Sequence, residues 1–201
     1  MKRLRFSGYD WVVRDRYGGP GPNNFSQDNA WVDSEGNLHL KVCKVAGIWN
    51  CAEVYLESPL GYGEYSFEVK KSRFMDKNIT LGLFTYEDDT HEIDIEFGRW
   101  SNWFNCNGQF AIQPVKKGNI NRFLSLSKDL KASFNWQKDK IEFVSSVCPF
   151  NPSWCYKGSN IPVSNKKERV HINLWIYGKN KPKGTDEIVI TKFTFKIEKF
   201  K

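Results

Sequence analysis

Apolar and polar residues alternate with a period of two along most of this chain, and that pattern constrains its fold more than any other feature. Successive side chains of a β-strand point to opposite faces, so alternation gives one face to a core and the other to water. The clearest case is the last one, where Ile188, Ile190, Lys192, Thr194 and Lys196 alternate against Val189, Thr191, Phe193, Phe195 and Ile197. The same reading predicts strands at 38–45, 51–56, 64–70, 79–86, 91–97, 109–113, 123–126, 132–136, 141–147 and 170–176. Turn-forming clusters such as Asp33-Ser-Glu-Gly36 and Gln137-Lys-Asp-Lys140 separate them. No window of helical length sustains a 3.6-residue period. Many short strands at regular spacing imply an all-β fold, an antiparallel sandwich or barrel. No linker or repeat divides residues 1–201, which read as a single domain. The first part, 1–37, is expected to be irregular, because the glycines and prolines of Tyr17-Gly-Gly-Pro-Gly-Pro-Asn-Asn24 oppose regular pairing.

Composition removes several alternatives. An apolar share of 40% is too high for a disordered chain. No apolar run reaches the length of a membrane-spanning helix, so no membrane partner is expected. Met1–Phe6 starts basic but no apolar stretch follows, so the sequence shows no signal peptide, which fits a cytosolic chain or one trimmed of a leader. The net charge of +7 is uneven: residues 1–100 hold 12 Lys+Arg and 16 Asp+Glu, and residues 101–201 hold 18 and 7. A basic half raises the question of nucleic acid, yet no run of five cations and no nucleic-acid motif occurs, so none is expected as a partner. Scattered lysines on solvent faces, or a preference for an anionic polymer, explain the charge as well. Fifteen Phe, 8 Tyr and 8 Trp exceed what one core needs, which points to a cleft with rings available for stacking. Of five cysteines, Cys43 and Cys51 flank Gly47, and Cys148 and Cys155 bound a short loop. Both pairs suit disulfides in an oxidising compartment, and five unpaired thiols suit the sequence equally.

The sharpest motif is His91-Glu-Ile-Asp-Ile-Glu-Phe97. On a strand, Glu92, Asp94 and Glu96 share one face while Ile93, Ile95 and Phe97 share the other. Three carboxylates in a row repel one another, so at least one is driven toward its neutral form. A sequence shaped for stability alone would place lysines among them. A solvated acidic edge and a calcium site are alternatives, although calcium loops take their oxygen ligands at a different spacing. A carboxyl pair across a scissile bond is the requirement for glycoside hydrolysis. The Cα atoms of Glu92 and Glu96 lie roughly 13 Å apart on a strand, and the side chains can lean together over Asp94.

At these residues the chain resembles glycoside hydrolase family 16, which holds lichenases, laminarinases, agarases, carrageenases and xyloglucan endotransglycosylases. Glu92-Ile-Asp-Ile-Glu96 matches its Glu-x-Asp-x-Glu strand. Gly61–Lys70, Gly82–Tyr86, Phe134–Trp136 with Ile141–Phe143, and Asn173–Trp175 look like further family segments, in order. The resemblance spans most of residues 8–198. The stretch Arg99–Cys106 departs from the common lichenase pattern and looks more like an uncharacterised bacterial branch. The resemblance implies a concanavalin-like jelly-roll sandwich and a retaining mechanism. It implies Glu92 as nucleophile, Glu96 as general acid/base and Asp94 as a hydrogen-bond partner that tunes the nucleophile. It implies a β-linked polysaccharide as substrate, and hence an extracellular, monomeric enzyme with no cofactor. The family's frequent calcium site uses a late aspartate, and Thr191–Lys201 has none, so no metal is expected. Transglycosylation on the same scaffold and a non-catalytic carbohydrate-binding module are the alternatives.

Around the carboxylates, Arg99 and Trp100 are expected at the rim of the site, and Trp103 in the following loop as a stacking ring. Gln113 reaches a sugar hydroxyl if its strand pairs beside the carboxylate strand. Asn173 and Trp175 share a face assigned to the cleft, and His171 shares it too. Trp136 is assigned to the core, and His91 to packing or surface.

Overall fold

The computed structural model describes residues 1–71, 75–127, 129–146 and 151–197, and in it the alternation becomes two packed antiparallel sheets. The first strands in chain order are β1 (Arg3–Phe6), β2 (Tyr9–Val13), β3 (Arg16–Gly18), β4 (Asn23–Phe25), β5 (Ala30–Val32) and β6 (Leu38–Val45). Next come β7 (Ile48–Leu56), β8 (Gly63–Lys71), β9 (Ile79–Asp88), β10 (His91–Gly98), β11 (Gly108–Ile112) and β12 (Ile120–Phe123). The last are β13 (Asp129–Trp136), β14 (Ile141–Ser146), β15 (Ser153–Tyr156), β16 (Arg169–Ile176) and β17 (Asp186–Ile197). One sheet, the front, runs β1-β2-β7-β16-β9-β10-β11-β12. The back sheet runs β5-β6-β17-β8-β13-β14-β15. The β6–β7 hairpin joins them, which makes the single-domain jelly-roll sandwich that the alternation and the motifs predict. No helix among the described residues is long and apolar enough to cross a membrane.

The core lies between the sheets. Ile93, Ile95 and Phe97 point into it from β10, Leu81 and Leu83 from β9, and Ile172 and Leu174 from β16. Phe67, Phe134, Phe143 and Phe193 meet them from the back sheet in a chain of ring contacts. The surplus of Phe is therefore core material: eight phenylalanines, at 6, 25, 67, 97, 110, 134, 143 and 193, are fully buried. Trp136 is buried as expected, and its indole N–H donates to the Pro162 carbonyl at 3.0 Å, which satisfies its one polar atom.

Three expectations are corrected, and a fourth point, left open between two readings, is decided. First, the N-terminal 37 residues are not irregular, since five short strands occupy them. Gly19 to Pro22 form a turn between β3 and β4, which pair in register, so the glycines and prolines sit outside the ladder that they would have broken. Second, the alternation of β17 does not run straight through. A bulge at Thr191 leaves that residue without a register partner, so Ile188, Ile190 and then Phe193 face the core. Third, the strand expected at 123–126 lies at Ile120–Phe123, and beyond it Asn107 pairs with the Ser125 backbone, both bonds at 2.7 Å, in place of a strand. Fourth, Cys43 and Cys51 do not face each other. The two-residue turn at Ala46 and Gly47, with φ of 48° and 85°, sets Cys43 opposite Asn50, and both thiols are free. Burial pushes the Cys51 thiol up to about 12. Cys155 is also a free thiol, and its expected partner Cys148 lies outside the described residues.

On the back sheet, His39 bridges Asp33 at 2.9 Å and Glu187 at 2.8 Å and stacks on Trp31. Burial opposes charging His39, but the two carboxylates outweigh it and hold the imidazole above its usual range.

Candidate active site

Residues in register on neighbouring strands lie side by side on one face. The front sheet therefore carries three rows of side chains across a cleft of about 580 Å³. The first row is Glu53, Asn173, Gly82, Glu96, Gln109 and Arg122, on β7, β16, β9, β10, β11 and β12. The second is Tyr55, His171, Phe84, Asp94, Ala111 and Ile120. The third brings Arg169 and Tyr86 to Glu92. The predicted catalytic strand thus sits near the middle of the cleft, with all three carboxyls among its lining residues.

Burial sets the protonation of this row. It pushes Glu92 up to about 7, and the charges of Asp89 and Glu53 add to the effect. Burial also holds Asp94 well above the usual carboxylate range, reinforced by the charges of Glu92 and Glu96. Glu92 and Asp94 share a hydrogen bond that favours the charged form of Glu92 and the neutral form of Asp94. Asp94 is therefore the donor and Glu92 the acceptor. Glu96 is pushed up to about 7, by burial and by Glu92, against the attraction of Arg122. Three carboxyls of one strand are thus all raised toward neutrality, and the Asp94–Glu92 hydrogen bond favours charge on Glu92 and a proton on Asp94, while Glu96 can hold a proton and give one up.

The flanking residues have fixed places. Gln109 donates from Nε2 to Oε2 of Glu96 at 3.0 Å, and Nε of Arg122 donates to Oε1 of Gln109 at 3.0 Å. The guanidinium of Arg122 lies 4.7 Å from the centroid of the Trp100 ring. Gln113 follows β11, its backbone N–H bonds to the Glu92 carbonyl at 3.1 Å, and its side chain donates to Asp94 while accepting from the Val115 N–H at 2.9 Å. Gln113 thus steadies Asp94. Asn173 and Trp175 line the cleft. Among the described residues the buried Oδ1 of Asn173 has no partner, which is costly unless a ligand donor reaches it.

On the other flank, Glu53 is 3% exposed and takes Nη1 of Arg14 at 2.8 Å and Nδ1 of His171 at 3.0 Å. Burial opposes its charge, but those two partners win and hold its pKa below the usual value. His171 is stacked between Tyr55 and Phe84, with centroids at 5.3 and 5.1 Å.

Arg99 and Trp103 do not line the cleft, unlike Trp100. The left-handed turn at Trp100 and Ser101, with φ of 45° and 67°, sends the loop outward. There Arg99 closes the loop by donating to the carbonyls of Trp103 at 2.6 Å and Asn105 at 2.7 Å, and Trp103 is 49% exposed. His91 is half-buried beside Asp88, its Nδ1 at 2.9 Å, and a register shift separates it from Glu92. Sequence reasoning missed Arg14, Glu53, Gln109 and Arg122: Gln109 and Arg122 reach the site through the register of β11 and β12 beside β10, and Glu53, with Arg14 paired to it, through the pairing of β7 with the distant β16.

The floor of the cleft depends on a glycine. A Cβ on Gly82 would lie 2.5 Å from Oδ1 of Asn173, beside Glu96. Gly82→Val is expected to displace Asn173 and fill the floor, raising KM for an oligosaccharide about tenfold or more. Michaelis kinetics check this, and an unchanged KM would remove Gly82 from the site.

Comparisons with known proteins follow from this geometry. No family model matches the chain, and no curated protein does. Solved structures do match. The β-glucanase of Bacillus licheniformis aligns with a TM-score of 0.72 at 19% identity over 98% of both chains. A prokaryotic β-1,3-1,4-glucanase (lichenase) derived from a mouse hindgut metagenome aligns at 0.71 and 20% identity, covering 96% of this chain and 97% of that one. An immunostimulatory antigen and pseudo β-1,3-glucanase of Mycobacterium tuberculosis aligns at 0.72 and 14%, over 95% of both. At these identities the likeness is one of fold: the chain has the sandwich of the β-glucanases.

Proposed function

We propose that the protein is a retaining endo-glycosidase acting on a neutral, extracellular β-linked polysaccharide, with Glu92 as nucleophile and Glu96 as general acid/base. The observation that carries this reading is the row of three carboxyls that one strand presents on one face inside the cleft, where burial and mutual repulsion raise all three toward neutrality. The hydrogen bond from Asp94 offsets part of the burial and favours the charged form of Glu92, the form able to attack the anomeric carbon. Glu96 holds a proton near pH 7 and delivers it to the departing glycosidic oxygen as the C–O bond breaks. In the second step Glu96, now ionised, takes a proton from water, and the water oxygen displaces Glu92 from the anomeric carbon. The β configuration is retained after two inversions.

Four observations bear on a neutral polymer. The cleft crosses six strands, roughly 24 Å at the usual strand spacing, which gives room for several sugar rings. Among the described residues no lysine lines it, and the described lysines within residues 101–201 are exposed or half-buried elsewhere. Of its three arginines, Arg14 is paired with Glu53 and Arg122 is engaged by Gln109 and Trp100, which leaves Arg16 exposed at the end of the cleft formed by β3. The orphaned Oδ1 of Asn173 suits a sugar hydroxyl.

The test is release of reducing ends from lichenan, laminarin, agar, carrageenan and xyloglucan, with the first-formed anomer read by NMR. Turnover of a neutral β-glucan with β-anomer formed first is expected. An α-anomer formed first would overturn retention. The second reading, a sugar-binding module without turnover, draws on the fold neighbour described as a pseudo β-1,3-glucanase. Binding of oligosaccharides with no product across the panel would decide for it.

A further inference from the structure

We infer that Arg122, acting through Gln109, holds Glu96 with Oε2 as a hydrogen-bond acceptor, which leaves Oε1 as the oxygen that carries and delivers the proton. The inference deepens the proposed function and rests on Glu96 being the acid/base. It follows from donor and acceptor chemistry. A guanidinium only donates, whereas an amide offers a donor at one end and an acceptor at the other. Nε of Arg122 lies 3.0 Å from Oε1 of Gln109, so the amide must turn its carbonyl to Arg122 and its NH₂ to Glu96. That NH₂ meets Oε2 of Glu96 at 3.0 Å and needs an acceptor there. A proton on neutral Glu96 is thereby directed to the other oxygen.

Arg122 is itself held in place. Its guanidinium packs over the Trp100 ring at 4.7 Å, and Trp100 is set by a left-handed backbone that a bulky residue rarely adopts. The turn that carries Arg99 and Trp103 out of the cleft is thus the same turn that lays Trp100 against Arg122. The charged and titratable groups that line the cleft with Glu96 are Glu92 and Asp94 on its own strand, Tyr86 on β9 and Asp89 after it, His171 on β16 and Tyr177 after it, Glu53 on β7, Arg122 on β12, and Arg14 and Arg16 near β3. Arg122 favours the charged form of Glu96, and Glu92 opposes it.

Without Arg122 the amide is free to flip and present its carbonyl to the Glu96 proton, which would hold that proton back. Arg122→Met is therefore expected to lower kcat about tenfold, a part of what a positioned acid supplies, with KM within twofold. Loss of the cation also raises the Glu96 midpoint, so the alkaline limb of kcat/KM moves to higher pH. Arg122→Lys keeps a donor-only cation and is expected to recover part of both effects. In a Gln109→Leu background, Arg122→Met is expected to cost little further kcat. The Glu96 midpoint is read directly by carboxyl ¹³C NMR, assigned with Glu96→Gln, in protein without substrate. That titration tests Arg122 even if no polysaccharide is turned over. An unmoved midpoint in folded Arg122→Met, or equal kcat losses in the wild-type and Gln109→Leu backgrounds, would overturn the inference. If Arg122→Met does not fold, Gln109→Leu alone must raise the midpoint, and an unmoved value there overturns it equally.

Discussion

Glu92→Gln is expected to reduce kcat by about 10⁴-fold, the order of loss when a nucleophile is removed from a site that keeps its other parts. Glutamine fills the same space but cannot form a stable glycosyl ester. The change also removes a charge that repels Asp94 and Glu96, so the fold is expected to survive it. Loss of activity can then be read as chemistry, with near-UV circular dichroism as the control. Glu92→Ala gives a sharper check, because added azide can enter the vacated space and attack the anomeric carbon. The glycosidic C–O bond breaks, Glu96 protonates the leaving oxygen, and an α-glycosyl azide results. The corresponding Glu96 variant leaves Glu92 to form the ester, so azide would give the β product. Full activity in Glu92→Gln, or a β-azide from Glu92→Ala, would exclude Glu92 as the nucleophile.

The second large effect is on stability. The glutamate pKa values rise from 4.5 in the unfolded chain to about 7 in the folded one for both Glu92 and Glu96. Between those limits the folded protein binds more protons than the unfolded, so stability falls as pH rises. The contribution is present in full below about 4.5 and is lost by about 7. One such group changes stability by on the order of 3 kcal/mol, and coupling makes the two less than additive. For a chain of this size that corresponds to roughly 6–12 °C in Tm. Glu96→Gln, neutral at every pH, is expected to match the wild type near pH 5 and exceed it at pH 8. Asp33, Asp88 and Glu57 are shifted the other way, Asp33 and Asp88 mainly by side-chain hydrogen bonds and Glu57 by Arg3, and they act at lower pH. His39 has the same sign as the glutamates but acts above about pH 6.5, so His39→Gln separates its share. Calorimetric scans from pH 5 to 8 give the answer, and parallel curves for wild type and Glu96→Gln would refute it.

The carboxylate strand was legible because strand geometry alone assigns its faces: Ile93, Ile95 and Phe97 are buried, and Glu92, Asp94 and Glu96 line the cleft. Asn173 and Trp175 followed from the same logic. What stayed hidden depends on register or on backbone conformation. Gln109 and Arg122 meet Glu96 only because β11 and β12 pair with β10 at one particular offset. Glu53 reaches the site through β16, more than a hundred residues later in the chain. The outward course of Arg99 and Trp103 turns on positive φ at a tryptophan and a serine, residues that give no signal for it. The Gly-Pro run was misread because those residues mark a turn and do not forbid the strands on either side.

The order of strands in the front sheet also bears on how the molecule forms. Strands β9 to β12 are consecutive and can zip up as a local meander, with Glu92, Asp94 and Glu96 already aligned. The opposite wall comes from β7 and β16, and β16 must travel back across the back-sheet strands β13 to β15 to lie between β7 and β9. Until it docks, Glu53 lacks His171, and the carboxyl row faces water and is free to ionise. The binding cleft is thus completed by a pairing of strands more than a hundred residues apart in the chain, and a topology so rich in long-range contacts belongs with proteins that fold in milliseconds to seconds.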